Sequence, residues 1–472
     1  MVYFNFILRL FFRRALFRRL LFTIGFIICV YLLIFYNTTS SNQYYEPSVS
    51  NIIDNNAIHN YNSTDSCHFK PSTDEFILKY KPVTLIGLKP EATRFEPTIE
   101  RIRNLLELIR SKEDTYQSLL QNFDVFNMIN PDISLKAYTD ESNIDEIKTL
   151  YNRYIKLMPD NKTIHVDHAM IDYLKQISSY LSDGLRNNRA NRVNIKENVQ
   201  LPVECLRKPV FVLACDEGFF NILQGAIHSL DEYWSGYRIV FYDMGLSSGQ
   251  VKLLREKCKQ CTIIKFPFSS IKIFASHIDI LKTYAFKPFV IQDALRRYGT
   301  IIYGDASARF NSNSFNPVLI DNYIRGFAAR ELPDHYLSCF TRTGTFDWFN
   351  QSYSQFDEIY MSEANFLVVT DTFLTRLMMK AWLTCALESK CLIAYESQSK
   401  CRGSSTTYHR YDQSAMVIIL THFFFPGTKS TWGDRHLNDP APYDMFTSIQ
   451  MNLGDIKRGY QDPNYLSEKK IA

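Results

Sequence analysis

From Pro209 onward, short apolar runs alternate with helical stretches, and this alternation leaves few folds open. VFVLAC (210–215) is long enough for a buried strand, and FNILQGAIHSL (220–230) follows with helical spacing. YRIVFYDMGLS (237–247) reads as a second buried strand ending in an acidic turn. Gln250 to Lys259 is helical, and CTIIKFPF (261–268) is a third strand. LKTYAFKPFVIQDALRRYG (281–299) predicts a helix interrupted at Pro288, and TIIYGDASARF (300–310) a fourth strand breaking into an acidic turn. Strands and helices alternating at this spacing predict an α/β fold with a mainly parallel sheet. Such sheets bind ligands beyond the carboxyl ends of their strands. The turns ACDEG, YDMGL and YGDAS all fall there and should converge on one edge.

The N-terminal half is organised differently. Leu20 to Tyr36 is uncharged, with five arginines upstream and NTTSSNQ downstream. A 17-residue helix is about 25 Å long, at the short end for a bilayer span. Positive charge stays cytoplasmic. The reading is therefore a 1–19 tail, a 20–36 signal-anchor and a lumenal body, with the short span pointing to Golgi or ER membranes. The rival is a cleaved signal peptide, against which bulky Ile34, Phe35 and Tyr36 stand where small residues would precede cleavage. Residues 37–95 read as a stem. Over 96–185 three helical faces are expected: Ile99 to Ile109, Ile144 through Ile155 to Met158, and Ile171 to Leu181 with Gly184 as a stop. This region is either a stem module or a packing annex. The domain proper spans 205–450.

With 46% apolar residues a wholly disordered chain is excluded. Lys and Arg number 53 against 49 acids, and five of those cations precede residue 20, leaving 48 against 49. Nothing in that balance supports a nucleic-acid surface. Asn37, Asn62, Asn161 and Asn350 head glycosylation sequons. Among ten cysteines, Cys385–Cys391 or Cys391–Cys401 could close a loop in an oxidising compartment, and Cys258-x-x-Cys261 has metal or redox spacing without a second ligand pair.

Asp305 leads the candidates for chemistry. An apolar strand delivering Asp-x-Ser puts Asp305 and Ser307 on one side of an extended chain, as two oxygen ligands for a divalent ion beside a diphosphate. The plain alternative is an Asp/Ser turn. Lys287 could neutralise a phosphate or sit solvated on the surface. Asp216 and Asp243 could bind a base or ribose, or simply end their strands. Asp412 opens the run AMVIIL, either capping that helix or presenting, with Gln413, a carboxylate and an amide to a sugar.

Over residues 209–425 the order of these segments resembles the GT-A nucleotide-diphospho-sugar transferases, in layout the retaining enzymes of glycosyltransferase family eight. VLACDEGFFNILQGAIHSL resembles that family's nucleotide-gripping strand and helix. TYAFKPFVIQDALRRYGTIIYGDAS resembles its lysine-bearing helix and Asp-x-Asp strand, SEANFLVV (362–369) the strand beside the sugar, and DQSA the Asp-Gln segment. FYDMGLS, YAFKP, YGDASARF, CAL…C and HRYDQSA together also resemble an uncharacterised family of predicted type II membrane proteins. The resemblance implies a nucleotide-sugar donor, a glycan or glycoprotein acceptor, and assistance by Mn2+ or Mg2+ held at Asp305 and Ser307. It also implies nucleotide or phosphate contacts at Asp216, Asp243 and Lys287, and sugar contacts at Asp412 and Gln413. A non-catalytic glycan-binding or scaffold domain is the alternative. Two departures stand out. Ser307 replaces the second Asp, and His422…Gly427…Lys429…Trp432 repeats the order but not the spacing of a late metal motif, leaving His436 as another candidate.

Overall fold

The computed structural model describes residues 96–128, 141–174, 209–310, 322, 326–357, 359–400, 408–424, 456–459 and 461–469, all within the compact unit Pro71–Ala472. The expected tail, anchor and stem lie outside the described residues, and no helix among those described is long and apolar enough to cross a membrane.

Helix α1 (Glu96–Asn122) buries Ile102, Leu105, Leu106 and Ile109, the expected face. Helix α2 (Glu141–Tyr154) is shorter than its apolar pattern suggests, because strand β1 (Ile155–Leu157) takes over and pairs antiparallel with β2 (Ile164–Val166). Here Ile155 is buried and Lys156 exposed, so the chain has switched from a period of 3.6 to a period of two. Of the third face, Ile171 and Leu174 are buried. Ile177, Leu181 and Gly184 lie outside the described residues.

Strand β3 (Val210–Cys215) leads through α3 (Phe220–Tyr233) to β4 (Ile239–Asp243), and α4 (Ser248–Lys257) leads to β5 (Cys261–Lys265). Helix α5 (Lys287–Tyr298) precedes β6 (Thr300–Asp305), followed by β7 (Ala308–Phe310), β8 (Phe327–Tyr336) and β9 (Tyr360–Thr370). Helices α6 (Phe373–Leu387) and α7 (Tyr411–Phe424) and strand β10 (Ile456–Arg458) complete the longer elements. The central sheet runs β5-β4-β3-β6-β9-β8. Its first four strands are parallel, β9 is antiparallel to β6, and β8 is antiparallel to β9. The mainly parallel α/β sheet expected from the alternation is present.

One boundary differs from expectation. Pro288 does not interrupt a helix; it stands in the first turn of α5, where its missing N–H costs nothing. Tyr284, just upstream, has φ 55°, a left-handed conformation rarely taken by a bulky residue.

The sheet separates two apolar cores. Along β3, Val210, Val212 and Ala214 face one core, and Phe211, Leu213 and Cys215 the other. On β6, Tyr303 faces the core that contains Phe289, Val290 and Ile291 of α5. Helix α1 packs on α6 and α7, as the annex reading of this region requires of that helix. Buried Lys380 of α6 fastens it, pairing with Glu113 of α1 and donating 2.6 Å to the Phe126 carbonyl. Disulfides join Cys385 to Cys391 and Cys258 to Cys261. The first settles the choice at Cys391. The second makes the Cys-x-x-Cys pair a covalent staple rather than a metal site.

Candidate functional site

Lys287 is the hub. It opens α5, where the positive end of the helix dipole disfavours a cation, and only 3% of it is exposed. Two carboxylates offset both costs. Lys287 Nζ lies 3.2 Å from Asp305 Oδ1 and 3.2 Å from Asp412 Oδ2, and donates 2.9 Å to the Ala364 carbonyl. Tyr284 and Tyr303 present their rings to the ammonium at 4.9 and 5.4 Å. The solvated-surface alternative for Lys287 is therefore excluded, and its ammonium faces two acids.

The alternation along β6 explains the meeting. Asp305 lies two residues after Tyr303, hence on the face covered by α5, and accepts 3.0 Å from the Tyr303 hydroxyl. Asp412 arrives on the first turn of α7, a position the helix dipole favours for an acid. Its carbonyl is anchored by Trp382 Nε1 at 3.1 Å. It does not cap α7, because the helix already begins at Tyr411 and the carboxylate turns to Lys287.

Burial dominates the electrostatics. Burial, with Asp305 adding its charge, pushes the Asp412 carboxyl up to about 6 against the pull of Lys287. Burial opposes the Lys287 charge, yet Asp305 and Asp412 hold its pKa above the ordinary lysine value. The Tyr303 hydroxyl is raised well above its usual value by burial and by Asp305.

Among the described residues, several buried polar atoms on the elements that partner Lys287 have no hydrogen-bond partner. They are Gln413 Nε2, beside Asp412, and Ser362 Oγ and Asn365 Oδ1, flanking Ala364 on β9. Asp412 Oδ2 is in the same state, close to Lys287 without hydrogen-bond alignment. Buried unpaired polar atoms cost free energy unless a ligand or water satisfies them. Ser362 and Asn365 escaped the sequence reading, although two polar residues inside an apolar strand were a visible signal.

Asp216 and Asp243 stand at the same sheet edge. Asp305 pairs with Ala214, and Asp243 with Cys215. At ~4.8 Å between strands and ~3.3 Å per residue, the Asp216 and Asp305 backbones are roughly 8 Å apart. The carboxylates of Asp216 and Asp243 serve their own turns, however. Asp216 accepts from Phe219 N at 3.1 Å, and Asp243 from Gly245 N at 2.9 Å and Leu246 N at 2.7 Å. A cavity of about 520 Å³ opens beside Asp243 between β4, β5 and α4, lined by Leu246, Val251, Lys252, Arg255 and Lys265. It lies on the side of β4 away from Lys287.

His422 takes no part. Ten residues along α7 from Asp412, about 15 Å of helical rise, it is buried, donates from Nδ1 to the Ile418 carbonyl at 2.8 Å, and is held by burial at about 4. His436 lies outside the described residues.

Among the described residues no three His, Cys, Asp or Glu side chains cluster as metal ligands. Asp305 Oδ2, which takes no hydrogen bond among the described residues, and the hydroxyl of Ser307 are hard donors suited to Mg2+ or Mn2+. They fit such an ion only as part of a shell that diphosphate oxygens and water would complete.

A family model described as a protein of unknown function (DUF1647) matches residues 184–292. No curated protein matches the chain. Similar solved structures include the galactosyltransferase LgtC in complex with donor and acceptor sugar analogs, at 15% identity and TM-score 0.32 over 52% of this chain and 85% of that one. Mouse xyloside xylosyltransferase 1 is similar at 9% identity and TM-score 0.29, over 45% of this chain and 81% of that one. The bifunctional glycosyltransferase WbbM is similar at 10% and 0.29, over 46% and 38%. Likeness of this degree assigns no activity to the chain.

Proposed function

We propose that the chain is a glycosyltransferase of GT-A type, anchored as a type II membrane protein in the Golgi or ER, which moves a sugar from a nucleotide donor to a glycan or protein acceptor with retention at the anomeric carbon. The observation that carries this reading is the buried Lys287 between Asp305 and Asp412, at the carboxyl edge of a mainly parallel sheet, with orphaned polar atoms of Gln413, Ser362 and Asn365 on the same two elements, α7 and β9, that supply its partners. A sugar is a dense set of hydroxyl donors and acceptors, the complement of such an array.

When the bond from the anomeric carbon to phosphate breaks, positive charge develops on the sugar ring. Two carboxylates against one ammonium leave the cluster net negative when all three are ionised, a fixed field of the sign that stabilises this charge. Lys287 holds both acids in place. Gln413 and Asn365 orient hydroxyls, Asp216 and Asp243 border the nucleotide, and a divalent ion at Asp305 and Ser307 would neutralise the diphosphate.

Ser307, standing where a second acid is expected, favours a second reading: a glycan-binding or scaffold domain without catalysis. Donor hydrolysis by the full-length chain in detergent, with and without Mn2+, separates the two. Asp305→Ala should cost roughly 100- to 1000-fold in rate, the ~3–4 kcal/mol typical of an electrostatic stabiliser, while Ser307→Asp should tighten Mn2+ binding. If the wild type neither binds nor hydrolyses any nucleotide sugar and Ser307→Asp gains none, the scaffold reading replaces the transferase.

A further inference from the structure

The turn that carries Asp305 and Ser307 is braced from a distance. Beyond β6 the chain leaves the central sheet through Ala306 and Ser307 and enters β7, whose partner is β10 near the C-terminus. Ile456 pairs with Phe310, Lys457 with Arg309 and Arg458 with Ala308, and Gly459 N donates 2.9 Å to the Ser307 carbonyl. The Ala306 carbonyl is held by Arg309 Nη1 at 3.0 Å. The same guanidinium donates to the Ala308 carbonyl at 2.8 Å and, through Nη2, to the Ile222 carbonyl on α3 at 2.9 Å. Both carbonyls that follow Asp305 thus depend on groups outside the turn.

Two glycines make room for this guanidinium. A Cβ on Gly225 of α3 would stand 2.5 Å from Arg309 Nη2, and a Cβ on Gly459 would overlap the Arg309 side chain. The C-terminal segment of residues 456–459 and 461–469, here called the strap, has its own moorings on α3. Gln224 donates 2.7 Å to the Pro463 carbonyl and accepts 3.0 Å from Leu466 N, His228 pairs with Asp462 at 2.9 Å, and Tyr465 donates 2.5 Å to Asp231. Contacts therefore run from α3 to residues 461–469, and from residues 456–459 to the turn.

We propose that residues 456–459 and Arg309 are positioning elements of the donor site: they fix the Asp305–Ser307 turn, so nucleotide affinity at that turn is set by the C-terminal strap. This rests on the glycosyl-transfer reading. Arg309 acts through the carbonyls of Ala306 and Ala308, not on the sugar.

The test uses the full-length chain. Gly459→Pro removes the N–H that holds Ser307, Arg309→Lys keeps the charge and loses the fork, and Gly459→Ala fills the slot. Amide exchange over residues 305–310, with α6 as the internal control, reports the brace. Calorimetry with UDP and Mn2+, and in parallel GDP and Mn2+, reports the site. Each single variant should speed exchange at the turn and weaken nucleotide binding by roughly fivefold, the worth of about one net hydrogen bond, with α6 exchange unchanged. Because Gly459→Ala acts by crowding Arg309, Arg309→Ala/Gly459→Ala should bind no more weakly than Arg309→Ala alone. Unchanged exchange at the turn in Gly459→Pro overturns the brace. Faster exchange with unchanged nucleotide affinity overturns its role in the site. A wild type that binds neither nucleotide removes the glycosyl-transfer reading instead, and the exchange result still decides whether the strap holds the turn.

Discussion

Asp412→Asn should stabilise the protein at neutral pH while removing its chemistry. Asp412 is 3% exposed, and burial lifts its carboxyl from 3.8 to about 6 even with Lys287 3.2 Å away. Between those two values the folded chain binds more protons at this site than the unfolded chain, so stability falls as pH rises through the window. About two pH units at 1.36 kcal/mol each give a penalty of about 3 kcal/mol at pH 7, an upper figure for a buried group. Asparagine has the same shape and no charge to desolvate, and Lys287 keeps Asp305 and the Ala364 carbonyl. His409 and His422, both held by burial at about 4, act in the opposite sense, because the unfolded chain takes their protons first. The informative quantity is therefore the difference between variant and wild type in urea unfolding at pH 4 and pH 7.5. It should be small at pH 4 and favour the variant by up to about 3 kcal/mol at pH 7.5, while turnover is lost. A variant less stable than wild type at pH 7.5, or a difference that does not change with pH, would refute the reasoning.

Lys380→Met should destabilise by about 3 kcal/mol, the low end for a broken buried pair, because Glu113 stays charged and buried with Arg110 at 3.5 Å and the Met128 N–H left to it; adding Glu113→Gln should recover part of that loss in the same urea titration. Replacing Cys391 by serine opens the Cys385–Cys391 loop and should cost about 2 kcal/mol by the chain-entropy relation, read as a lower midpoint of unfolding. Cys215, the free cysteine among the described residues, is buried, and its thiol is raised by burial; it should resist alkylation until denaturant is added. Asn161 and Asn350 are both exposed, so in microsomes a glycosidase should shift the mass through one or both, and protease should spare everything after Tyr36; digestion of that part would sink the type II reading.

Local pattern was enough to locate β3, β4, β5 and β6 within a residue or two, and to place Asp216, Asp243 and Asp305 at one edge. A buried parallel strand is a continuous apolar run, and its carboxyl end is where polar residues begin. The period of two at Ile155, the start of α5 at Lys287 and the whole of β8 were not read. In each case a short segment with ambiguous local preference is decided by what it packs against. The tertiary structure alone decided the partners. Lys287 finds Asp412 across 125 positions, Lys380 finds Glu113 across 267, and Gly459 reaches Ser307 from near the C-terminus. The sequence by itself determined which side chains carry charge and where strands end. It could not determine which charges meet, because pairing in a low-dielectric interior depends on where the folded chain returns, and that return is set by the packing of two cores rather than by any local period.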